Sequence, residues 1–257
     1  MSLAQSTEQA VAAAKSRSVF DKRPVIFGSL GLIAFYALTR AYQQAYGWSA
    51  GLDSYAPEYQ SYWGSILTAA TPVAILAAIG LPALLWRSRD RNLEALDART
   101  EMRRYLTLVQ LLTLYAFALY WGLSFFTEQT AVWHMTAVRD SDFTPANIIT
   151  FHVAYPVFCV TGLVAFYYAR TRLPFYANGY SLALLIFVAG VFMTIPNVGF
   201  NEWGHSFWSM EEGFASPVHW GFVFFGWMTL GAFGVTLQIL SRIRELLQIQ
   251  DATPPQA

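Results

Sequence analysis

Tyr62-Trp-Gly-Ser-Ile-Leu-Thr-Ala-Ala-Thr-Pro-Val-Ala-Ile-Leu-Ala-Ala-Ile-Gly-Leu-Pro-Ala-Leu-Leu-Trp86 carries no charged residue, and Arg87-Ser-Arg-Asp-Arg91 closes it. A helix over this run is about 37 Å long, enough for a hydrocarbon core of about 30 Å. Its apolar residues follow one another without alternation, so it does not read as a barrel strand. Pro72 and Pro82 fall inside it, where neighbouring helices can satisfy the freed carbonyls.

Five further stretches have the same character, at about 25–46, 105–126, 147–169, 179–196 and 218–240. With 62–86 they predict an all-α integral membrane protein of about six transmembrane helices. Residues 1–23 are polar and alanine-rich, with no apolar segment of the signal-peptide kind before Lys22 and Arg23. They are expected to form a cytoplasmic surface segment, followed by a bundle over 24–246 and a C-terminal tail over 247–257. Composition agrees: 55% of the chain is hydrophobic and 12% charged, with mean hydropathy +0.37, where soluble domains carry about a quarter charged residues. Sixteen cations balance sixteen acids, which leaves no basic footprint for nucleic acid. The single cysteine, Cys159, excludes an intrachain disulfide framework.

The cations divide by side. Lys15, Arg17, Lys22 and Arg23 precede the first span, and Arg87, Arg89, Arg91, Arg99, Arg103 and Arg104 join spans two and three. Arg170 and Arg172 follow span four, and Arg242 and Arg244 follow span six. The positive-inside rule then puts both termini in the cytoplasm and the loops 47–61, 127–146 and 197–217 outside. Arg40 stands in the outer half of span one, where a cation needs a partner such as Asp53, Glu128 or Glu202, or else snorkels to the interface. The pairs Tyr62-Trp63 and Tyr120-Trp121 read as headgroup-belt aromatics.

All four histidines, His134, His152, His205 and His219, fall in or beside the outer face. Asn201 and His205 are four apart and share a helix face. His219 follows Ser216 and Pro217, which read as N-cap and first-turn residues. A short interfacial helix folded over the top of span six would gather two imidazoles and an amide oxygen into an open metal site. Glu202, Glu211 and Glu212 are placed to orient such ligands. Imidazole suits copper, zinc, iron and nickel alike, and an interfacial helix whose polar face meets water accounts for the same spacing. No Gly-rich dinucleotide loop, phosphate loop or Ser-His-Asp arrangement stands out, and four histidines cannot supply the boxes of a membrane di-iron hydroxylase.

Several blocks together are more specific. They are Gly47-Trp-Ser-Ala-Gly-Leu-Asp-Ser-Tyr-Ala-Pro-Glu58, Phe125-Phe-Thr-Glu-Gln129, Trp133-His-Met-Thr136 and Arg139-Asp-Ser-Asp-Phe-Thr-Pro145. Ile195-Pro-Asn-Val-Gly-Phe-Asn-Glu-Trp-Gly-His205 and Pro217-Val-His-Trp-Gly-Phe-Val-Phe-Phe-Gly-Trp227 continue the series. In this the chain resembles the C-type membrane component of the particulate methane monooxygenase and ammonia monooxygenase family, over nearly all of its length after residue 23. The resemblance implies a copper-dependent complex with A and B subunits, built as a trimer of heterotrimers in a bacterial inner or intracytoplasmic membrane. It implies dioxygen and a small apolar substrate (methane, ammonia or another hydrocarbon), with the metal-bearing face periplasmic. A family copper site falls on Asn201, His205 and His219, and Phe200, Trp203, Phe207 and Trp208 would line a cavity beside it. A second family site of Asp, His and His falls on Thr130, His134 and Asn147, where only His134 survives, so the resemblance is to a divergent branch. His152 lies five residues past Asn147, about 140° around an α-helix from it, and on that geometry is no replacement. The alternative role is a structural or copper-relay subunit of the same complex. A transporter is weaker, because no inverted repeat is visible.

Overall fold

The computed structural model describes residues 21–122, 144–190 and 217–252, with side chains of the last stretch described over 226–249. Every regular element among the described residues is helical. Besides a 3-10 turn at Leu93–Ala95 they are, in chain order, α1 (Arg23–Tyr46), α2 (Gln60–Arg87), α3 (Ala98–Gly122), α4 (Pro145–Arg172), the short α5 (Pro174–Ala177), α6 (Leu182–Ala189) and α7 (Pro217–Ala252).

The helices α1 to α4 are each long and apolar enough to cross a membrane. They cover four of the six expected stretches. The fifth is described only as far as Gly190, and the sixth begins at Pro217 and continues well past 240. The third helix starts earlier than its hydropathy predicts, because Asp97 caps it. The Asp97 carboxylate accepts the Thr100 N–H at 2.9 Å and so winds the arginine-rich stretch 98–104 into helix. Ser181 caps α6 in the same way, from the Leu184 N–H at 3.0 Å. Proline opens α4, α5 and α7, where its missing N–H costs nothing.

The buried pair is α3 and α4: 39% and 44% of their most apolar stretches lie inside the protein, against 6% for α1 and α2. Tyr105 and Tyr115 of α3 and Ile149 and Phe158 of α4 are buried in the same hydrophobic core. Such a core leaves phenol hydroxyls to satisfy. Tyr115 donates to the Phe187 carbonyl at 3.0 Å, near the end of α6, so that an otherwise apolar helix is tied to the centre of the bundle. Against α6 lies α7, crossing so closely that any side chain at Gly231 would push the two helices apart. A Cβ there would stand 2.8 Å from the Phe187 nitrogen and 2.9 Å from the Ala183 oxygen.

The arginine-bearing helix ends are tied by two clusters of polar contacts. Arg104 donates to Asp90 Oδ2 and to the Arg172 carbonyl, both at 2.8 Å. Arg172 in turn engages Ser88, and the Asp90 N–H donates to the Thr171 carbonyl at 3.1 Å. Arg242 on α7 forks onto Glu101 of α3 through Nε (2.9 Å) and Nη2 (3.0 Å), and its Nη1 reaches Glu245 at 2.8 Å. The Glu101 side chain is 5% exposed, so these bonds act where water screens little. The Asn92 N–H, with Arg104 behind it, holds the Asp90 carboxyl below the usual carboxylate range, and the Thr100 contacts do the same for Asp97.

Candidate metal-bearing end

At the opposite end of the bundle the helices lose regularity. Gln60–Gly64 and Ile148–Ala154 are π-helical, and a third π turn covers residues 120–122. Turns closed by i→i+5 hydrogen bonds are rare, and they gather at functional sites. Here a buried phenol ties two of them together. Tyr36 of α1 directs its hydroxyl at the Ala154 carbonyl (3.1 Å) and the Ala118 carbonyl (3.3 Å), beside the π turns of α4 and α3. Pro156, which has no N–H to give to the turn before it, lies just beyond.

The π turn of α4 changes the relation between Asn147 and His152. An α-helix separates their directions by about 140°. A turn closed by i→i+5 bonds takes more residues per revolution, so a five-residue offset approaches one full turn. The expectation that the two face apart is therefore corrected: Asn147 opens the π segment, buried, and His152 comes about one turn later, half-buried. His152 Nδ1 lies 3.1 Å from the Thr71 hydroxyl of α2. Thr71 stands immediately before Pro72, inside the uncharged run of that helix. Neither the π turn nor this partner has a propensity signature in the sequence.

The loop between α1 and α2 is stapled to the same end. Trp63 is fully buried and donates its indole N–H to the Ala50 carbonyl at 2.7 Å. It is a core anchor and not the headgroup-belt residue that its neighbourhood implied. Tyr120, 65% exposed, does fit a belt. Gly51 takes φ +57°, where a Cβ would stand 2.9 Å from the Tyr59 Cα, so only glycine closes this turn. Its N–H donates to Glu58 Oε1 at 3.3 Å. Arg40 donates from Nη1 to Gln43 Oε1 at 3.2 Å, and with the Gln44 amide oxygen turned toward it, from Nη2 at 2.8 Å. These glutamines were not among its expected partners, two of which (Glu128 and Glu202) lie outside the described residues.

Of the candidate metal ligands, Asn201, His205, His134 and Thr130 lie outside the described residues. His219 sits in the first turn of α7, and its side chain is likewise outside them. Helix rise puts its backbone about 35 Å along α7 from Arg242, and so at the end away from the arginine clusters. Among the described residues no group of three or more His, Cys, Asp or Glu could hold a metal. Two imidazoles and an amide oxygen form a donor set that fits a borderline metal such as copper. Thr130, His134 and Asn147 form one that fits poorly, with a hydroxyl and an amide beside a single imidazole. Cys159 is a free, half-buried thiol in α4, as core packing predicts.

The sequence model of the AmoC family, the C-type component of ammonia monooxygenase/methane monooxygenase, matches residues 5–250. No curated protein matches the chain.

Proposed function

The chain belongs to the AmoC family of ammonia monooxygenase/methane monooxygenase subunits, and from that premise we propose that it holds copper at Asn201, His205 and His219. Membership makes it a multi-pass membrane subunit of a monooxygenase complex, associated with the other monooxygenase subunits. The finer reading is a trimer of heterotrimers with the A and B subunits, six spans, cytoplasmic termini and a periplasmic metal-bearing face. The observation that carries it is the match over residues 5–250, which includes all three donors.

In this reading His205 and His219 give imidazole nitrogens and Asn201 an amide oxygen, leaving room for a further ligand. Copper bound there would supply the redox chemistry by which dioxygen oxidises a C–H or N–H bond. The chain's own part is exclusion and orientation. Phe200, Trp203, Phe207 and Trp208 would keep water away and seat a small molecule such as methane, ammonia or another hydrocarbon. Glu202, Glu211 and Glu212 would orient the imidazoles. Asn147 and Thr130 replace stronger donors, so His134 is proposed to hold copper weakly or not at all.

His219→Ala in the intact complex tests the assignment. The expected result is loss of copper from one site per chain and loss of turnover, with the complex still assembled. Unchanged copper content would refute it. Loss of copper with turnover retained would favour the relay role over a catalytic one.

A further inference from the structure

At the arginine-bearing end, an open groove of about 720 Å³ runs between α7 and the segment of α5 with its following turn. Its floor is polar and rich in donors. Gln238 contributes an amide whose orientation is fixed, because its Oε1 accepts from Ser181 Oγ at 2.8 Å and from the Tyr176 hydroxyl at 3.4 Å. The Nε2 donors are thereby left for a ligand. Ser241, Asn178 and Arg242 line the same groove. Arg242 commits three N–H groups to Glu101 and Glu245, and a guanidinium has five. Glu245 stands at the lip with its side chain 54% exposed.

The other wall is apolar. Phe175 and Leu237 line it, and Leu237 continues into Phe233 and Leu230 on one face of α7, each at least 65% exposed. A donor-rich floor, a carboxylate at the lip and an apolar stripe running toward the middle of the bundle fit an amphiphile. Charge narrows the choice. Arg242 and Arg170, which donates to the Tyr176 and Gly179 carbonyls, stand against Glu101 and Glu245, so the local sum is zero and carries no excess positive charge for a net anionic headgroup. A zwitterion satisfies both signs, its phosphate on Gln238, Ser241 and the remaining N–H groups of Arg242, its ammonium on Glu245.

We propose that this groove seats the headgroup of a zwitterionic glycerophospholipid, with its acyl chains along Leu230, Phe233 and Leu237. The proposal rests on the chain being a membrane subunit and is independent of the metal site.

The test uses the purified complex in detergent, with native mass spectrometry after addition of phosphatidylethanolamine or phosphatidylglycerol. The wild type should retain the zwitterionic lipid in preference. Glu245→Gln should cut that preference about fivefold, the worth of one half-exposed ion pair. Gln238→Leu should weaken both lipids, and copper content should stay unchanged in either variant. A phosphatidylethanolamine with a photoreactive acyl chain should label α7 near Leu237. No headgroup preference in the wild type, or the same preference in Glu245→Gln, would overturn the proposal. So would full competition by water-soluble glycerophosphoethanolamine, which would mean a site for the free headgroup. Cross-linking of Leu237→Cys to another subunit would reassign the groove to a protein contact. Failure of the His219→Ala test would leave these results untouched.

Discussion

Gly231→Ala is the sharpest perturbation of the frame that carries His219. The added methyl would lie 2.8 Å from the Phe187 nitrogen, 2.9 Å from the Ala183 oxygen and 3.1 Å from the Phe187 Cα. All three belong to the backbone of α6, so no side chain can swing aside. Ordinary contact begins near 3.4 Å, and α7 must retreat from α6 by roughly 0.6 Å. Overpacking of this kind costs about 1–3 kcal/mol. Alanine returns about 1 kcal/mol in helix propensity, leaving a net loss of up to about 2 kcal/mol. Gly226→Ala in the same helix is the matched control, since nothing among the described residues lies within 4 Å of its Cβ position. It should be neutral or stabilising by up to about 1 kcal/mol. Thermal unfolding of the purified complex, followed by helical circular dichroism, should place Gly231→Ala a few degrees below wild type and Gly226→Ala at or above it. Equal midpoints for the two variants would show that α7 does not pack on α6 as described.

Three more outcomes are expected. Glu101→Gln removes the carboxylate that Arg242 forks onto, and with Arg242 partly exposed and Glu245 still in place should destabilise the complex by about 1–2 kcal/mol; insensitivity of the unfolding midpoint would refute the pair. Tyr36→Phe leaves the Ala118 and Ala154 carbonyls without their phenol donor and should cost about 1–2 kcal/mol in a denaturant titration. Asp90 and Asp97 have folded pKa values below their unfolded ones, so their contribution is complete above the ordinary carboxylate range. It is lost as pH falls through the lowered values. Asp97→Ala should therefore lower stability at neutral pH and flatten its acid limb, and parallel wild-type and mutant curves across that range would exclude the cap.

Hydropathy alone predicted α1, α2 and α4 closely, because a bilayer imposes length and composition on a span regardless of its partners. It misplaced the start of α3, whose first turns are amphipathic and charged; the Asp97 cap settles that boundary, and such a cap is legible from an Asp three residues before Thr100. Trp63 was misread because a Tyr-Trp pair near a span end carries the same signal whether the indole meets headgroups or a loop carbonyl. The π turns were not legible. Two of them flank the Tyr36 hydroxyl where α1, α3 and α4 meet, a tertiary arrangement that local sequence does not encode, and an angle drawn from 3.6 residues per turn fails wherever one intervenes. Partners two helices away, such as Thr71 for His152, follow from that packing and not from spacing. For the proposed donors the spacing of Asn201, His205 and His219 remains the whole of the physical reading, beside the family match.

The π segment of α4 bears on how this span is compared with its relatives. An i→i+5 turn is an α turn that has accepted one extra residue. Deleting a single residue within Ile148–Ala154 would restore the α pitch and leave Pro145–Asn147 and Tyr155–Arg172 facing nearly as they do now, with only the side chains inside the bulge re-aimed. In a relative whose fourth span lacks the bulge, side chains that point the same way carry numbers displaced by one on its two sides. Residue-by-residue correspondence across Asn147 and His152 is thus a matter of helical phase as much as of identity, and a one-residue insertion is enough to re-aim a donor in a span whose hydropathy stays the same.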